Sequence, residues 1–107
     1  MKIYVAGKYS DSNIIEVLNN IREGIKMSAK VLKMGHVPFS PWLDYQFQFY
    51  EPELKVEDYY NYSLTWLKCC DAMLVLPNYE NSKGTLKEIE VAKENNIPIY
   101  YSLEDLK

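Results

Sequence analysis

The stretch Ser82-Lys83-Gly84-Thr85-Leu86-Lys87-Glu88 sets a hydroxyl, a glycine and a carboxylate directly after Ala72 to Leu76, the most hydrophobic strand candidate in the chain. A helix over Lys83 to Asn95, at about 100° per residue, gathers Val91, Glu88, Ala92, Thr85, Ile89 and Leu86 on one arc and leaves Lys87, Glu90 and Glu94 opposite. Glu88 is therefore a carboxylate on the face that buries, about one turn inside a helix N-terminus. Buried acids need a partner or a purpose, and a desolvated carboxylate can serve as base or nucleophile. The competing reading is a structural acid at the helix edge, stabilised by the helix dipole. Ser82 has the same duality: its hydroxyl can cap the helix, and the same geometry presents it to an anion.

Other residues offer less. Gly7 and Lys8 allow close backbone approach to a phosphate or sugar with a point charge alongside, but they lack the spacing of the phosphate-binding loops. Tyr4 lies in a strand, where a hydroxyl takes whatever acceptor is near. His36 stands alone, and no second histidine or spaced cysteine accompanies it, so we expect no metal site and no cofactor. Asp71 reads as a helix stop or as a carboxylate on backbone N–H groups at a strand start. No serine sits in a nucleophile elbow.

The elements that must position these groups follow from the pattern. Ile3 to Ala6 is a short apolar run ending at Gly7, the signature of a strand buried on both faces. Asn13, with Glu16 three residues on, caps a helix in which Ile14, Leu18, Ile21, Ile25, Ser28 or Ala29, and Leu32 recur at steps of three and four until Gly35. His36 to Ser40 is a second strand. Pro41 then opens a long aromatic segment through Trp42, Asp44, Tyr45, Phe47, Phe49 and Pro52, a candidate lid or interface. Val56 to Cys70 forms a helix with Tyr59, Ser63, Trp66 and Cys70 on one face, and Asp71 ends it. Ala72 to Leu76, the turn Pro77 to Asn81, the helix Lys83 to Asn95 and the strand Ile97 to Tyr101 complete a β-α-β-α-β-α-β order. Such an order gives right-handed crossovers and a parallel sheet covered by helices. Ligands of such sheets sit at the carboxyl ends of the strands, which selects the loops Gly7 to Asn13 and Pro77 to Gly84.

Composition sets the outer limits. The 107 residues are 48% hydrophobic and 25% charged, which suits one globular domain over residues 1–107. A net charge of −3 and a pI near 5.1 argue against a nucleic-acid polymer as partner, since phosphate tracking needs a basic stripe. No stretch approaches a membrane span and no secretory signal is evident, so a cytoplasmic location is expected. The adjacent Cys69 and Cys70 suit reducing conditions and a buried helix end. Ten tyrosines cluster in part between Tyr45 and Tyr62, as pocket wall or subunit interface.

Taken together, Lys2-Ile3-Tyr4-Val5-Ala6-Gly7, Gly35-His36-Val37-Pro38, Cys70-Asp71-Ala72 and the run from Ser82 to Ala92 resemble the nucleoside 2-deoxyribosyltransferase-like superfamily, which includes the 2′-deoxynucleoside 5′-phosphate N-hydrolases. The resemblance covers most of the chain and is most specific from Ser82 onward. It implies a flavodoxin- or Rossmann-like three-layer α/β sandwich with a small parallel sheet of about four strands. By the resemblance Glu88 matches the nucleophile that attacks the anomeric carbon of an N-glycoside. Tyr4 matches the tyrosine that hydrogen-bonds this glutamate and the sugar, Gly7 and Lys8 fall in the pocket loop, and Ser82 matches a 5′-phosphate contact beside Gly84. It further implies a homodimer or larger homo-oligomer, with a nucleotide or nucleoside as the small-molecule partner and Trp42, Tyr45 and Phe47 over the base. One position departs from the pattern. The second carboxylate of the family falls at Ser63, which cannot supply an acidic proton, so that Asp44, Asp58 or Asn61 takes the role, or the chemistry is slow or lost. A binding or sensing module that has lost turnover is the alternative.

Overall fold

A computed structural model describes residues 1–106 of the chain. Its strands are β1 (Lys2–Ala6), β2 (Val37–Phe39), β3 (Ala72–Val75) and β4 (Ile99–Tyr100), and its α-helices are α1 (Ile14–Lys33), α2 (Val56–Lys68) and α3 (Lys83–Glu94). All strand pairings are parallel, and the order across the sheet is β2-β1-β3-β4. This is the α/β sandwich expected. The register brings Tyr4 beside Phe39 on one side and Met73 on the other, with Ala6 beside Val75. At the opposite end of the sheet from the candidate loops, Lys2 N donates to Asp71 Oδ2 at 2.8 Å and Asp71 N donates to Lys2 O at 2.7 Å. Asp71 thus ties the starts of β1 and β3 together.

Side chains alternate across the strands and so divide the core between two layers. Tyr4, Ala6, Met73 and Val75 pack with Leu67 of α2 and Ile89, Val91 and Ala92 of α3. Ile3, Val5, Leu74 and Leu76 pack on the other side with Val31 of α1, Trp42 and Leu106. The chain leaves β1 through α1 toward β2 and reaches β3 through α2 on the other face. The strand order therefore reverses between β1 and β3, and their carboxyl ends open a crevice there.

The helices start and stop where local chemistry dictates. Asn13 Oδ1 accepts from Ile15 N at 2.8 Å at the head of α1, and Gly35, at φ +93°, turns the chain out of it. Ser82 Oγ accepts from Thr85 N at 3.2 Å at the head of α3.

Three faces differ from the sequence pattern. In α1 the buried residues are Gly24, Ser28 and Val31, while Ile14, Leu18, Ile25 and Leu32 remain 41% to 61% exposed. The apolar row lies roughly 80° around the helix from the buried face at about 100° per residue. The reason is Trp42: a Cβ on Gly24 would stand 2.1 Å from its Cδ2, so only the small-residue face of α1 lets the indole in. In α2, Leu67 rather than Trp66 completes the buried face, and Trp66 turns outward to stack on Phe39 at 5.5 Å. In α3, Leu86 is exposed although its arc neighbours bury. Cys69 is likewise exposed, where a buried helix end was expected.

The aromatic segment after β2 is ordered as a 3-10 helix, Pro41–Phe49. Pro41, Trp42 and Asp44 bury, whereas Phe49 and Tyr50 are 83% and 91% exposed. Among the described residues no helix is long and apolar enough to cross a membrane, and no group of three or more His, Cys, Asp or Glu residues is placed to hold a metal ion.

Candidate active site

Glu88 sits in the second turn of α3, aimed at the sheet because it shares the helix face of Thr85, Ile89 and Ala92. Beneath it, β1 directs Tyr4 toward the same layer, where its ring stacks on Phe39 at 5.4 Å. Tyr4 Oη donates a hydrogen bond to Glu88 Oε2. Tyr4 is fully buried and Glu88 is 9% exposed. Burial pushes the Glu88 carboxyl up to about 7, opposed by the Tyr4 hydrogen bond and reinforced by the nearby charge of Asp44. Burial also raises the Tyr4 phenol well above its ordinary value, with the Glu88 charge adding to it, so Tyr4 stays a neutral donor.

Above this pair lies a cavity of about 520 Å³, within the range typical of small-molecule sites. Its wall includes Gly7 from the loop after β1, Trp42 and Asp44 from the 3-10 helix, and Ser63 from α2. Ser82, Gly84 and Glu88 close it from α3 and its approach. Seven of the residues singled out in the sequence thus meet in one place, and Tyr4 reaches it through Glu88.

At the head of α3, Ser82 Oγ accepts from both Thr85 N and Thr85 Oγ1, the latter at 2.8 Å. Ser82 lines the cavity at this helix start together with Lys83, Gly84 and Thr85. Gly84 fits tightly under α2, where an added Cβ would stand 2.9 Å from Tyr60 Oη.

Lys8 is not brought to the wall. Its Nζ lies 3.2 Å from Asp11 Oδ2, a local pair three residues apart that holds the ammonium away from the crevice, and Lys83 is the lysine that lines the cavity. Tyr45 and Phe47 do not line it either; they pack edge-on against Phe49 and Tyr62. Trp42 does line it, but as a fixed wall. It is 1% exposed, and its Nε1 donates to Lys8 O at 3.1 Å. Asp58 and Asn61 are exposed and outside the cavity, and Asp58 accepts from Lys55 N at 2.8 Å.

Several wall residues were not singled out in the sequence. Tyr9 donates from Oη to Asp44 Oδ1 at 2.7 Å, and burial with that hydrogen bond raises its phenol. Tyr59 lines the cavity with a buried hydroxyl that has no partner among the described residues. The helical spacing had put Tyr59 on the Ser63 face of α2 without giving it a role, whereas nothing in the sequence gave the direction of Tyr9.

A family model described as a domain of unknown function (DUF4406) matches residues 1–101. The chain belongs to that family. No curated protein matches the sequence. Among solved structures, this DUF4406 chain is similar to the 2-deoxyribosyltransferase of the psychrotolerant bacterium Bacillus psychrosaccharolyticus, with a TM-score of 0.63 and 23% identity. The match covers 92% of this chain and 69% of that one. The DUF4406 chain therefore shares the fold of a deoxyribosyltransferase.

Proposed function

We propose that the chain cleaves the N-glycosidic bond of a (deoxy)nucleoside 5′-monophosphate or related nucleotide, by hydrolysis or transfer, through a covalent glycosyl-enzyme on Glu88. The observation that carries this reading is the buried Tyr4–Glu88 pair at the floor of a ligand-sized cavity, at the strand ends of a deoxyribosyltransferase fold. With its carboxyl raised to about 7, a large share of Glu88 is ionised at neutral pH and poorly hydrated, which favours attack on carbon. Tyr4 occupies Oε2 and leaves Oε1 for the anomeric centre.

The head of α3 supports a phosphorylated substrate. Ser82 and the free N–H groups of the first turn make an anion cradle, with Lys83 at its rim in the place the sequence suggested for Lys8. The base then lies toward Trp42 and Asp44. We further propose that the chain works as a homodimer or larger assembly, because α1 presents the row Ile14, Leu18, Ile25 and Leu32 to its surroundings.

The reading is tested by incubating the protein with deoxynucleoside and ribonucleoside monophosphates and following free base. Release that disappears in Glu88→Gln supports it. A second reading, a nucleotide-binding module without turnover, is favoured by Ser63, which stands buried in the wall where the resemblance called for an acid. Tight binding with no release, indifferent to Glu88→Gln, selects that alternative.

A further inference from the structure

The cavity carries a charge that a neutral base does not answer. Asp44 is 6% exposed and lines it together with Glu88 and Ser63. Its hydrogen-bond partner is neutral, the Tyr9 hydroxyl at 2.7 Å, and among the described residues it joins no ion pair. Lys8 is held by Asp11. Lys83, the one lysine or arginine of the described wall, belongs to the head of α3, where the phosphate is placed. A carboxylate taken out of water without a cation is costly, so Asp44 lacks a counterion that a ligand can bring.

Two further observations say what kind of cation fits. The wall is aromatic: Tyr9, Trp42, Tyr59 and Tyr60 all line the cavity, and aromatic rings beside an anion are a setting that holds cations. Ser63, 7% exposed, stands in the wall where the resemblance called for an acid, and a hydroxyl supplies no acidic proton near neutral pH. Asp44 acts here as a charge, one of the causes that raise Glu88, rather than as a proton donor. A base that leaves from a cationic ring needs no proton, because breaking the bond neutralises it.

We propose, resting on the glycosidic reading above, that the substrate carries a cationic base of the N-glycosyl pyridinium class, with Asp44 as its counterion. The Glu88 carboxylate oxygen bonds to the anomeric carbon as the carbon–nitrogen bond breaks. The electron pair of that bond neutralises the ring nitrogen, and the base leaves uncharged and unprotonated. Water then bonds to the anomeric carbon, the carbon–oxygen pair returns to Glu88, and the surplus proton passes to solvent.

The test has a turnover arm and a binding arm. In the first, the unsubstituted protein meets nicotinamide mononucleotide, in ribosyl and 2′-deoxyribosyl forms, and the adenine, guanine and cytosine nucleoside monophosphates. Nicotinamide is expected to be released at least about 100-fold faster than any neutral base, the factor a missing general acid costs. In the second, calorimetry follows binding to Glu88→Gln, where Asp44 is the carboxylate left in the wall. Nicotinamide mononucleotide is expected to bind about 10-fold more tightly than its reduced, uncharged form of nearly the same shape, and adding Asp44→Asn brings the two within about 3-fold. A smaller margin in turnover overturns the cationic class and leaves Glu88 standing. A preference for the oxidised form that survives Asp44→Asn overturns the role of Asp44. If the unsubstituted protein releases no base from any probe, the glycosidic reading falls and the cationic class falls with it.

Discussion

Replacing Glu88 with glutamine removes one titrating group and little else. The amide fills the same volume, and its carbonyl still accepts from Tyr4. An unfolded glutamate titrates near 4.5, whereas burial raises Glu88 in the fold to about 7. Between those values the native chain binds more protons than the unfolded one, so its stability falls as pH rises. The contribution is fully present below 4.5 and has been lost once the pH exceeds about 7. At about 1.4 kcal/mol for each tenfold change in proton affinity, the loss amounts to roughly 3 kcal/mol. Glu88→Gln carries no such term, and the groups that do not interact with Glu88 cancel when variant and parent are compared at one pH. The stability advantage of the variant over the parent should therefore grow by roughly 3 kcal/mol between about pH 4 and pH 8. Urea unfolding at fixed protein concentration, at three or four pH values, measures it. A difference that stays flat within about 1 kcal/mol, or that grows toward acid, refutes the picture of a desolvated carboxylate on the sheet.

Three other substitutions probe the surroundings. Tyr4→Phe removes the hydrogen bond that holds the Glu88 carboxyl down, so its titration, followed by carbon NMR of the side-chain carboxyl, should move above about 7. Gly24→Ala gains about 1 kcal/mol of helix propensity but forces a methyl into the Trp42 ring; a net loss of about 2 kcal/mol or more is expected, with Trp42 emission shifting to the red. Tyr59→Phe deletes a buried hydroxyl without a described partner, so stability should hold or rise by up to about 1 kcal/mol. If that hydroxyl meets substrate, KM rises in the same variant while the melting temperature does not fall.

The sheet was legible because its information is local. Ile3 to Ala6 and Ala72 to Leu76 are short continuous apolar runs, each followed by a turn and a capped helix, and parallel pairing is what such an order permits. Glu88 was legible for the same reason, since its direction depends only on the period of its own helix. The misreadings concern faces decided by a partner distant in sequence. The apolar row of α1 pointed to one face, but Trp42 requires the groove at Gly24, and an indole ring in the core outweighs several half-covered isoleucines and leucines. Asp44 was visible as a polar residue in an aromatic segment, while its depth depends on Tyr9, a hydrogen bond between two separate loops that no periodicity reports. Lys8 shows the opposite failure, a local partner at Asp11 that takes it from the longer-range role.

The way Trp42 is seated bears on how a ligand enters and leaves. Wedged on Gly24 and hydrogen-bonded to the Lys8 carbonyl, it pins the first turn of the Pro41–Phe49 helix to both α1 and the loop after β1. This stretch therefore does not swing as a hinged flap. Gln48, Leu54 and Val56, beyond that pinned turn, line the same cavity, so any movement that admits a ligand is expected there. Amide hydrogen exchange would display the division as a gradient along a single short segment. The amide of Leu43, bonded to the Ser40 carbonyl, would open only with the whole domain, and the amides beyond Phe49 would exchange many times faster.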